Sequence, residues 1–290
     1  MIIESHAHYS HIKFDQTFPC LTYDDGKFAV GNGDREGLLA RVREKGVIGV
    51  VEPAIGIGSN ENVLKLHKQY EGFIFPAYGC HPSYTFLAKW EDREVIERYA
   101  GDPDCGCIAV GETGLDYHYK ELRRHKSCQK RWFVYQIELA NKLNKPLILH
   151  IRKAKNDALR ILKRHRKLLT GGVVHCFCDD RRTAAKYIKL GFHIGIGGAL
   201  LTEESKDRLS NAVRRIPLDR ILVETDAPYM LPDCDVYKSK KQRKNARNTS
   251  LILKAVIERI AEIKELPVEE VEKVLLNNTV ELFSIEPFSE

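Results

Sequence analysis

Residues 2–8 read IIESHAH, two apolar residues followed by a carboxylate and two imidazoles at alternate positions. In an extended strand, successive side chains point to opposite faces, so Glu4, His6 and His8 would share one face. Two imidazoles held on one face are typical of a site for zinc or a related divalent ion. Taken alone, such a pair is more often two surface histidines near a frayed terminus. Any further ligands must come from elsewhere in the chain.

Beyond this segment, short apolar runs alternate with amphipathic stretches. The further predicted strands are 47–51, 73–78, 107–111, 147–149, 173–174, 192–196 and 221–223. A long polar loop is expected before Asp34, which should cap the first helix, and later helices should begin near Asp180 and Thr202 and at Pro267. Eight strand-helix units in fewer than 300 residues predict a parallel (β/α)8 barrel. A doubly wound open sheet is the alternative.

Composition sets wide limits on the class of protein. With 290 residues, 43% hydrophobic and 30% charged, the chain can bury a full core, and one domain over residues 1–290 is expected. No apolar run reaches membrane-spanning length and no secretory signal is found, so we expect a cytoplasmic protein with reduced cysteines. The pairs Cys105-x-Cys107 and Cys176-x-Cys178 are too closely spaced for a zinc knuckle, and are interpreted as strand residues.

In a (β/α)8 barrel the chemistry lies at the C-terminal ends of the strands. The predicted strand ends carry His6, His8, His81, Glu112, His150, His175 and Asp226. Each could singly be structural, but together at one rim they indicate a site. Without His81, four imidazoles and two carboxylates remain, enough for two divalent ions if one carboxylate bridges. Glu112, on a middle strand, is the best candidate for the bridge.

Several motifs at these strand ends carry a family resemblance. They are ESHAH at 4–8, GCHP at 79–82, GETGLDY at 111–117, LH at 149–150, HCF at 175–177 and ETDAP at 224–228. The chain resembles the TatD family of metal-dependent deoxyribonucleases, in the amidohydrolase superfamily, over almost its whole length. The resemblance implies one ion bound by His6, His8, Glu112 and Asp226, and a second bound by Glu112, His150 and His175.

Two positions depart from the family pattern. Glu4 stands where the family usually has aspartate, one methylene shorter, so Glu4 is not assigned as a ligand. After the eighth strand the family usually reads Arg-Asn-Glu-Pro, whereas this chain has Arg247, Asn248, Thr249 and Ser250. Any of the last three could cap the helix that follows.

Two divalent ions could activate a shared water and stabilise charge on a phosphoryl group. Asp226 could both bind an ion and accept the proton of the attacking water. His81 could contact a substrate phosphate, or could simply be a turn residue before Pro82. Asp116 and Tyr117 are candidates for the substrate groove, where the tyrosine ring could stack on a base or merely pack.

The basic residues are unevenly distributed. The chain carries a net charge of +6, and residues 238–247, KSKKQRKNAR, contain six cations after the last strand. Such runs are usually solvated surface, but cations beside a metal site can attract a phosphodiester backbone. Arg247, at the end of this run, is a candidate substrate contact. A second cluster at 123–131 follows the fourth strand, and the run at 163–167 is interpreted as ordinary surface.

These observations favour an exonuclease that uses two divalent ions to shorten DNA, with RNA as a further substrate. The alternatives are a hydrolase of small amides, esters or phosphoesters, and a non-catalytic metal-binding or nucleic-acid-binding protein. Imidazoles favour zinc or manganese, while carboxylates tolerate magnesium. Nucleic acid is the expected partner, with no membrane, and no oligomerisation motif is found.

Overall fold

Ten strands occur in the structure, a computed structural model that describes residues 1–286. In chain order they are β1 (Ile2–Glu4), β2 (Phe18–Asp24), β3 (Lys27–Gly33), β4 (Val47–Pro53), β5 (Ile74–Tyr78), β6 (Ala109–Asp116), β7 (Leu147–Arg152), β8 (Gly172–Val174), β9 (Phe192–Ile196) and β10 (Ile221–Val223). All except β2 and β3 form one parallel sheet in the order β1-β4-β5-β6-β7-β8-β9-β10. The N–H of Ser5 donates to the carbonyl of Val223 at 3.0 Å, which joins the first strand to the last. The predicted (β/α)8 barrel is confirmed, and the open sheet is excluded.

Helices surround the barrel. They are α1 (Arg35–Glu44), α2 (Asn60–Gln69), α3 (Arg93–Gly101), α4 (Lys120–Arg123), α5 (Lys126–Leu143), α6 (Lys155–Arg164), α7 (Arg181–Ile188), α8 (Lys206–Arg215), α9 (Lys240–Asn245), α10 (Leu253–Lys264) and α11 (Val268–Phe283). Asp34 and Asp180 cap α1 and α7 as predicted. The helix expected near Thr202 is α8, which directly follows Ser205, and the hydroxyls of Thr202 and Ser205 contact each other.

The barrel interior is filled by aliphatic side chains from alternate strand positions. These are Ile3, Val51, Ala77, Ala109, Ile148, Val173 and Leu222, all buried. A larger apolar layer lies between the strands and the helices. Because both faces of each strand are buried, the strand sequences are continuously apolar, with polar residues concentrated at their ends. This rigid interior supports the polar rim above it.

A β-hairpin replaces the long polar loop expected before Asp34. Strands β2 and β3 pair antiparallel around Asp25 and Gly26, whose φ angles are +48° and +77°. An Asp-Gly pair favours this tight turn because both positions need left-handed backbone. Thr249 Oγ1 donates to the carbonyl of Leu21 at 2.8 Å. The hairpin therefore packs on the segment that carries Arg247.

The two closely spaced cysteine pairs lie outside the strands, contrary to the interpretation from sequence. Cys105 and Cys107 precede β6, which begins at Ala109 and not at 107, and Cys176 and Cys178 follow β8, which ends at Val174. All eight cysteines are free thiols. Among residues 1–286, no helix is long and apolar enough to cross a membrane. The single domain over 1–290 stays a prediction, and residues 287–290 lie outside the described part.

Candidate metal centre

The side chains expected at the strand ends meet at one end of the barrel. The first strand leads into His6 and His8. The N–H of Asp226, after β10, donates to the carbonyl of His6, so these two segments lie side by side. Glu112 lies within β6, which extends to Asp116 instead of ending at 111 as predicted. Residues 113–116 stay in the strand because they pair with β7. The barrel therefore places Glu112 over its centre.

One carboxylate oxygen of Glu112 faces the two histidines of the first strand. Its Oε2 lies 3.5 Å from Nε2 of His6 and 3.6 Å from Nε2 of His8. The two Nε2 atoms are 3.2 Å apart. Oδ1 of Asp226 lies 3.8 and 3.4 Å from the same two nitrogens. Four candidate ligand atoms thus surround one point.

The other oxygen of Glu112 faces a second group of imidazoles. Its Oε1 lies 3.0 Å from Nδ1 of His150 and 2.8 Å from Nε2 of His175. These two nitrogens are 3.0 Å apart. Nε2 of His81 also lies 3.5 Å from this oxygen. Glu112 therefore stands between two groups of nitrogen atoms.

Both groups fit a divalent cation. Ligands held at about 2.1 Å from an ion in tetrahedral or octahedral geometry lie roughly 3.0 to 3.4 Å from one another. The measured separations within the two groups, 2.8 to 3.8 Å, bracket that range. Imidazole nitrogen and carboxylate oxygen are also the donors that zinc and manganese accept. The residues present therefore fit metal binding, and Glu112 has one oxygen directed to each group.

Hydrogen bonds on the far sides of two rings orient their lone pairs toward the centre. Nδ1 of His8 contacts the carbonyl of Pro53 at 3.1 Å, so it carries the proton and leaves Nε2 as an acceptor. Nε2 of His150 lies 3.2 Å from Oδ2 of Asp116, which leaves Nδ1 facing Glu112. His6 differs, because its buried Nδ1 has no hydrogen-bond partner among the described residues.

The charges in the cluster change its acidities strongly. Burial acts to raise the pKa of Glu112, but the nearby imidazoles of His175 and His81 outweigh it and hold that pKa well below its usual range. Burial opposes protonation of His8 and His150, yet their carboxylate neighbours raise the pKa of each to about 9. The cluster therefore favours positive charge at its centre, which a bound cation would supply in place of protons.

Glu4 lies just behind this cluster and contacts no ligand atom of it. Its carboxylate accepts hydrogen bonds from the N–H and hydroxyl of Thr225 and from the hydroxyl of Ser250, each at 2.8 Å. The N–H of His6 donates to it at 3.3 Å. Two of the residues that depart from the family pattern, Glu4 and Ser250, are thus in direct contact. Thr249 caps the short 3-10 turn that leads into α10.

Sequence reasoning missed two buried carboxylates near the site. Glu52, within β4, accepts the N–H groups of Tyr9 and Ser10 at 2.7 and 2.9 Å and so fixes the loop after His8. Glu224 accepts the N–H of Cys176 beside His175. A glutamate between Val51 and Pro53, at the end of an apolar strand, was a signal that could have identified the first.

His81 combines a turn contact with a position at the cluster. Its Nδ1 accepts the N–H of Ser83 at 3.0 Å. Burial and the nearby His150 lower its pKa to about 3, so the ring is neutral. A neutral ring that accepts at Nδ1 carries its proton on Nε2. His81 therefore presents a donor, not a lone pair, toward Glu112.

The three other candidate substrate contacts lie in different surroundings. Asp116 is buried behind His150, and its Oδ1 accepts the N–H of His118. Tyr117 is 8% exposed and its hydroxyl donates to Asp157 at 3.0 Å, so its ring is largely covered. Arg247 is partly exposed, and its guanidinium donates to the carbonyl of Asn245 at 2.6 Å.

A (β/α)8 barrel with clustered imidazole and carboxylate ligands at its C-terminal rim has the architecture of a metal-dependent hydrolase. The family model described as TatD related DNase matches residues 3–284. The chain belongs to this family. The family and fold predicted from the sequence are confirmed, and so is the class of enzyme, a metal-dependent hydrolase acting on ester bonds.

Individual relatives agree with this assignment. The chain is 38% identical over 195 residues to the uncharacterized metal-dependent hydrolase YcfH of Escherichia coli K12, covering 67% of this chain and 69% of that protein. It is 29% identical to the 3'-5' ssDNA/RNA exonuclease TatD of Pantoea vagans, covering 87% and 94%. The crystal structure of YJJV, a TatD homologue from E. coli K12, matches with a TM-score of 0.82 and 28% identity over 98% of both chains.

Proposed function

We propose that this chain is an exonuclease that hydrolyses phosphodiester bonds of DNA, and also of RNA, with two divalent ions. The observation that carries the proposal is the position of Glu112, whose two oxygens each face a separate group of imidazoles at 2.8 to 3.6 Å. One ion would be held by His6, His8, Glu112 and Asp226, and the other by Glu112, His150 and His175. The name of the TatD relative supports the choice of substrate.

Bound divalent ions would supply an activated water and stabilise negative charge on the phosphoryl group. The chain itself provides the proton acceptor. Asp226 is the more exposed of the two central carboxylates, at 15% against 3% for Glu112, so water can reach it. Burial acts to raise its pKa, but the hydrogen bond with His8 and the charges of His175 and His6 lower it. The carboxylate is therefore ionised and can accept a proton from water.

Neutral and cationic donors would hold the substrate. His81 directs Nε2–H into the cluster, where it can donate to a phosphoryl oxygen. Arg247 lies in the loop after β10. Burial lowers the pKa of His11 most, and the charges of Lys13, His8 and then Arg247 lower it further. Asp116 would act on His150 through their hydrogen bond, and Tyr117 would support the groove wall instead of stacking freely.

A reconstitution assay tests the proposal. Protein stripped of metal would receive magnesium, manganese or zinc separately, with end-labelled single-stranded and double-stranded DNA and RNA resolved on denaturing gels. We expect metal-dependent, stepwise shortening that disappears in Glu112→Ala and persists in Glu138→Ala, an exposed glutamate on α5. No cleavage by folded, metal-loaded protein would contradict the proposal.

Salt dependence separates a nuclease from a hydrolase of small esters or amides. Because binding of a polyanion releases counterions, nuclease activity should fall steeply as salt increases. Hydrolysis of a small neutral ester would change little. Steep loss with oligonucleotide would support the nuclease, whereas activity on small neutral esters alone would favour the other class.

A further inference from the structure

Exposed apolar side chains are concentrated at the rim that carries the metal centre. Among residues 1–286, eight large hydrophobic side chains are exposed, and all except Met1 follow a barrel strand. The seven are Ile12, Tyr84, Phe86, Leu87, Tyr119, Tyr229 and Met230. Apolar groups gathered on one functional face, instead of scattered over the surface, indicate a ligand-binding surface.

Two adjoining cavities lie within this face. One, of about 170 Å³, is lined by His8, Ile12, Ile55 and Ser59 among others, so it opens directly beside a candidate metal ligand. The other, of about 300 Å³, is lined by Ile55, Ser59, Tyr84 and Leu87. They share Ile55 and Ser59, so they lie on two sides of the loop after β4.

The structure holds this loop and its aromatic neighbour in place. The hydroxyl of Ser59 accepts the N–H groups of Ile55 and Gly56 at 3.0 and 2.9 Å. Gly56 has no side chain, which lets Tyr84 pack closely, since a Cβ there would lie 3.3 Å from Cγ of the ring. Tyr84 nevertheless remains 40% exposed. Its ring is therefore fixed on one side and available on another.

A lysine lies close to the first cavity, next to Ile12 of its lining. His11 lines it and contacts the hydroxyl of Tyr229 at 3.1 Å. The ammonium of Lys13 lies 4.1 Å from the centre of the Tyr229 ring. Apolar walls with an ammonium group nearby match a nucleotide, whose base is flat and whose phosphate is anionic.

We propose that these two cavities bind the unpaired bases at the end of a nucleic-acid strand, with Tyr84 as the stacking ring. The inference rests on the proposed nuclease function and adds the place where the terminal bases bind and the ring on which they stack. Bases within a duplex have their faces covered by neighbouring bases, so they cannot enter the cavities. The phosphate next to the bound bases would then lie toward His8 and the metal centre.

Binding of a fluorescein-labelled oligodeoxythymidylate, measured by anisotropy in the presence of a chelator, tests the inference without cleavage. Because stacking contributes substantially to each bound base, Tyr84→Ala should weaken binding at least about fivefold. Tyr84→Phe, which keeps the ring, should restore most of the affinity. The control is Tyr70→Ala, a partly exposed tyrosine that follows α2 at the opposite end of the barrel and lines neither cavity, and it should bind like the wild type.

A substrate lacking its terminal bases tests the same contact on the unmodified protein. Abasic residues at each end in turn should weaken wild-type binding at the recognised end by about as much as Tyr84→Ala does, and should weaken Tyr84→Ala little further. Equal binding by wild type and Tyr84→Ala, no effect of the bases, or no oligonucleotide binding would overturn the inference.

Hydrolysis by wild-type protein with magnesium or manganese distinguishes this inference from the nuclease proposal. Binding that depends on Tyr84 without any hydrolysis would contradict the nuclease and leave the base site standing. Hydrolysis that is unchanged by Tyr84→Ala and by removal of the terminal bases would support the nuclease proposal and contradict the base site.

Discussion

Two buried glutamates lie close together at the rim and have opposite surroundings. Glu4 is enclosed by neutral donors from Thr225, Ser250 and the backbone of His6, and its hydrogen-bonding capacity is met within the chain. Glu112 is enclosed by imidazole nitrogens, and the outer contacts of His8 and His150 leave one ring nitrogen of each facing it. The first arrangement is complete without a ligand. The second balances its charge only when protons or a cation are added.

The comparison distinguishes a glutamate that joins segments of the fold, Glu4, from one that can bind metal at the same rim, Glu112. Burial raises the pKa of Glu4 to about 7 against its hydrogen bonds, whereas the imidazoles hold the pKa of Glu112 well below its usual range despite burial. A carboxylate held by hydroxyl and N–H groups joins segments of chain. A carboxylate held among imidazoles provides a place for metal.

The largest expected effect is that of Glu112→Gln. This near-isosteric change removes the charge shared by both ligand groups, and we expect the kcat/KM for DNA to fall by roughly 10³ or more, as for loss of a central electrostatic contact. The free energy of unfolding of the metal-free protein should change much less. Steady-state kinetics and urea unfolding measure the two quantities. A variant with near-normal activity would remove the distinction between the two glutamates.

Asp116→Asn should have the next largest effect. It replaces the carboxylate that receives the Nε2–H of His150, and loss of such a supporting partner weakens metal affinity by about 10- to 100-fold. Titration calorimetry with manganese measures this change. The exposed control Asp219→Asn, beyond the opposite end of the barrel, should bind manganese normally. Unchanged affinity in Asp116→Asn would show that His150 needs no support.

Glu4→Gln should affect stability more than chemistry. The amide nitrogen of glutamine cannot accept the hydrogen bonds that one carboxylate oxygen receives, and a buried unsatisfied group costs about 1 to 3 kcal/mol. Urea unfolding of the metal-free protein should show this loss, while Glu138→Gln changes stability by less than about 0.5 kcal/mol. A loss of activity as severe as that of Glu112→Gln, with stability unchanged, would reverse the assignment of roles.

Asp157→Asn should have the smallest effect, because this carboxylate lies near the surface. The ion pair with Lys130 lowers its pKa below the usual 3.8 despite some burial. A lowered pKa in the folded state stabilises the fold above pH 3.8, and that contribution is lost as the pH falls through the folded value. Asp157→Asn should therefore cost under about 1 kcal/mol near pH 7, with the difference from wild type disappearing in acid. Urea unfolding at a series of pH values measures this. A difference in the free energy of unfolding that stays constant at all pH values would contradict the prediction.

The positions of the candidate ligands could be predicted because parallel strands bring their C-terminal ends together. An apolar run that stops at a histidine or carboxylate was enough to locate His6, His8, His150, His175 and Asp226. Glu112 was harder, since its strand continues through polar residues that pair with β7. The sequence pattern indicates where an apolar run ends, not where the backbone of the strand stops pairing with its neighbour.

Contacts between distant segments could not be predicted from spacing. Glu4 and Ser250 are 246 residues apart, and only the closed barrel brings the departures from the family pattern together. The hydrogen bond from His150 to Asp116 likewise depends on the register between two strands. The hairpin had a local signal, Asp25-Gly26, but its strands are partly polar and partly exposed, so the segment resembled a loop.

Anomalous diffraction from crystals soaked in manganese would locate the ions at the Glu112 cluster. We expect two manganese peaks per chain, one among His6, His8 and Asp226 and the other beside His150 and His175, with Glu112 contacting both. No peak in this cluster, or a single peak that leaves Glu112 uncoordinated, would contradict this expectation.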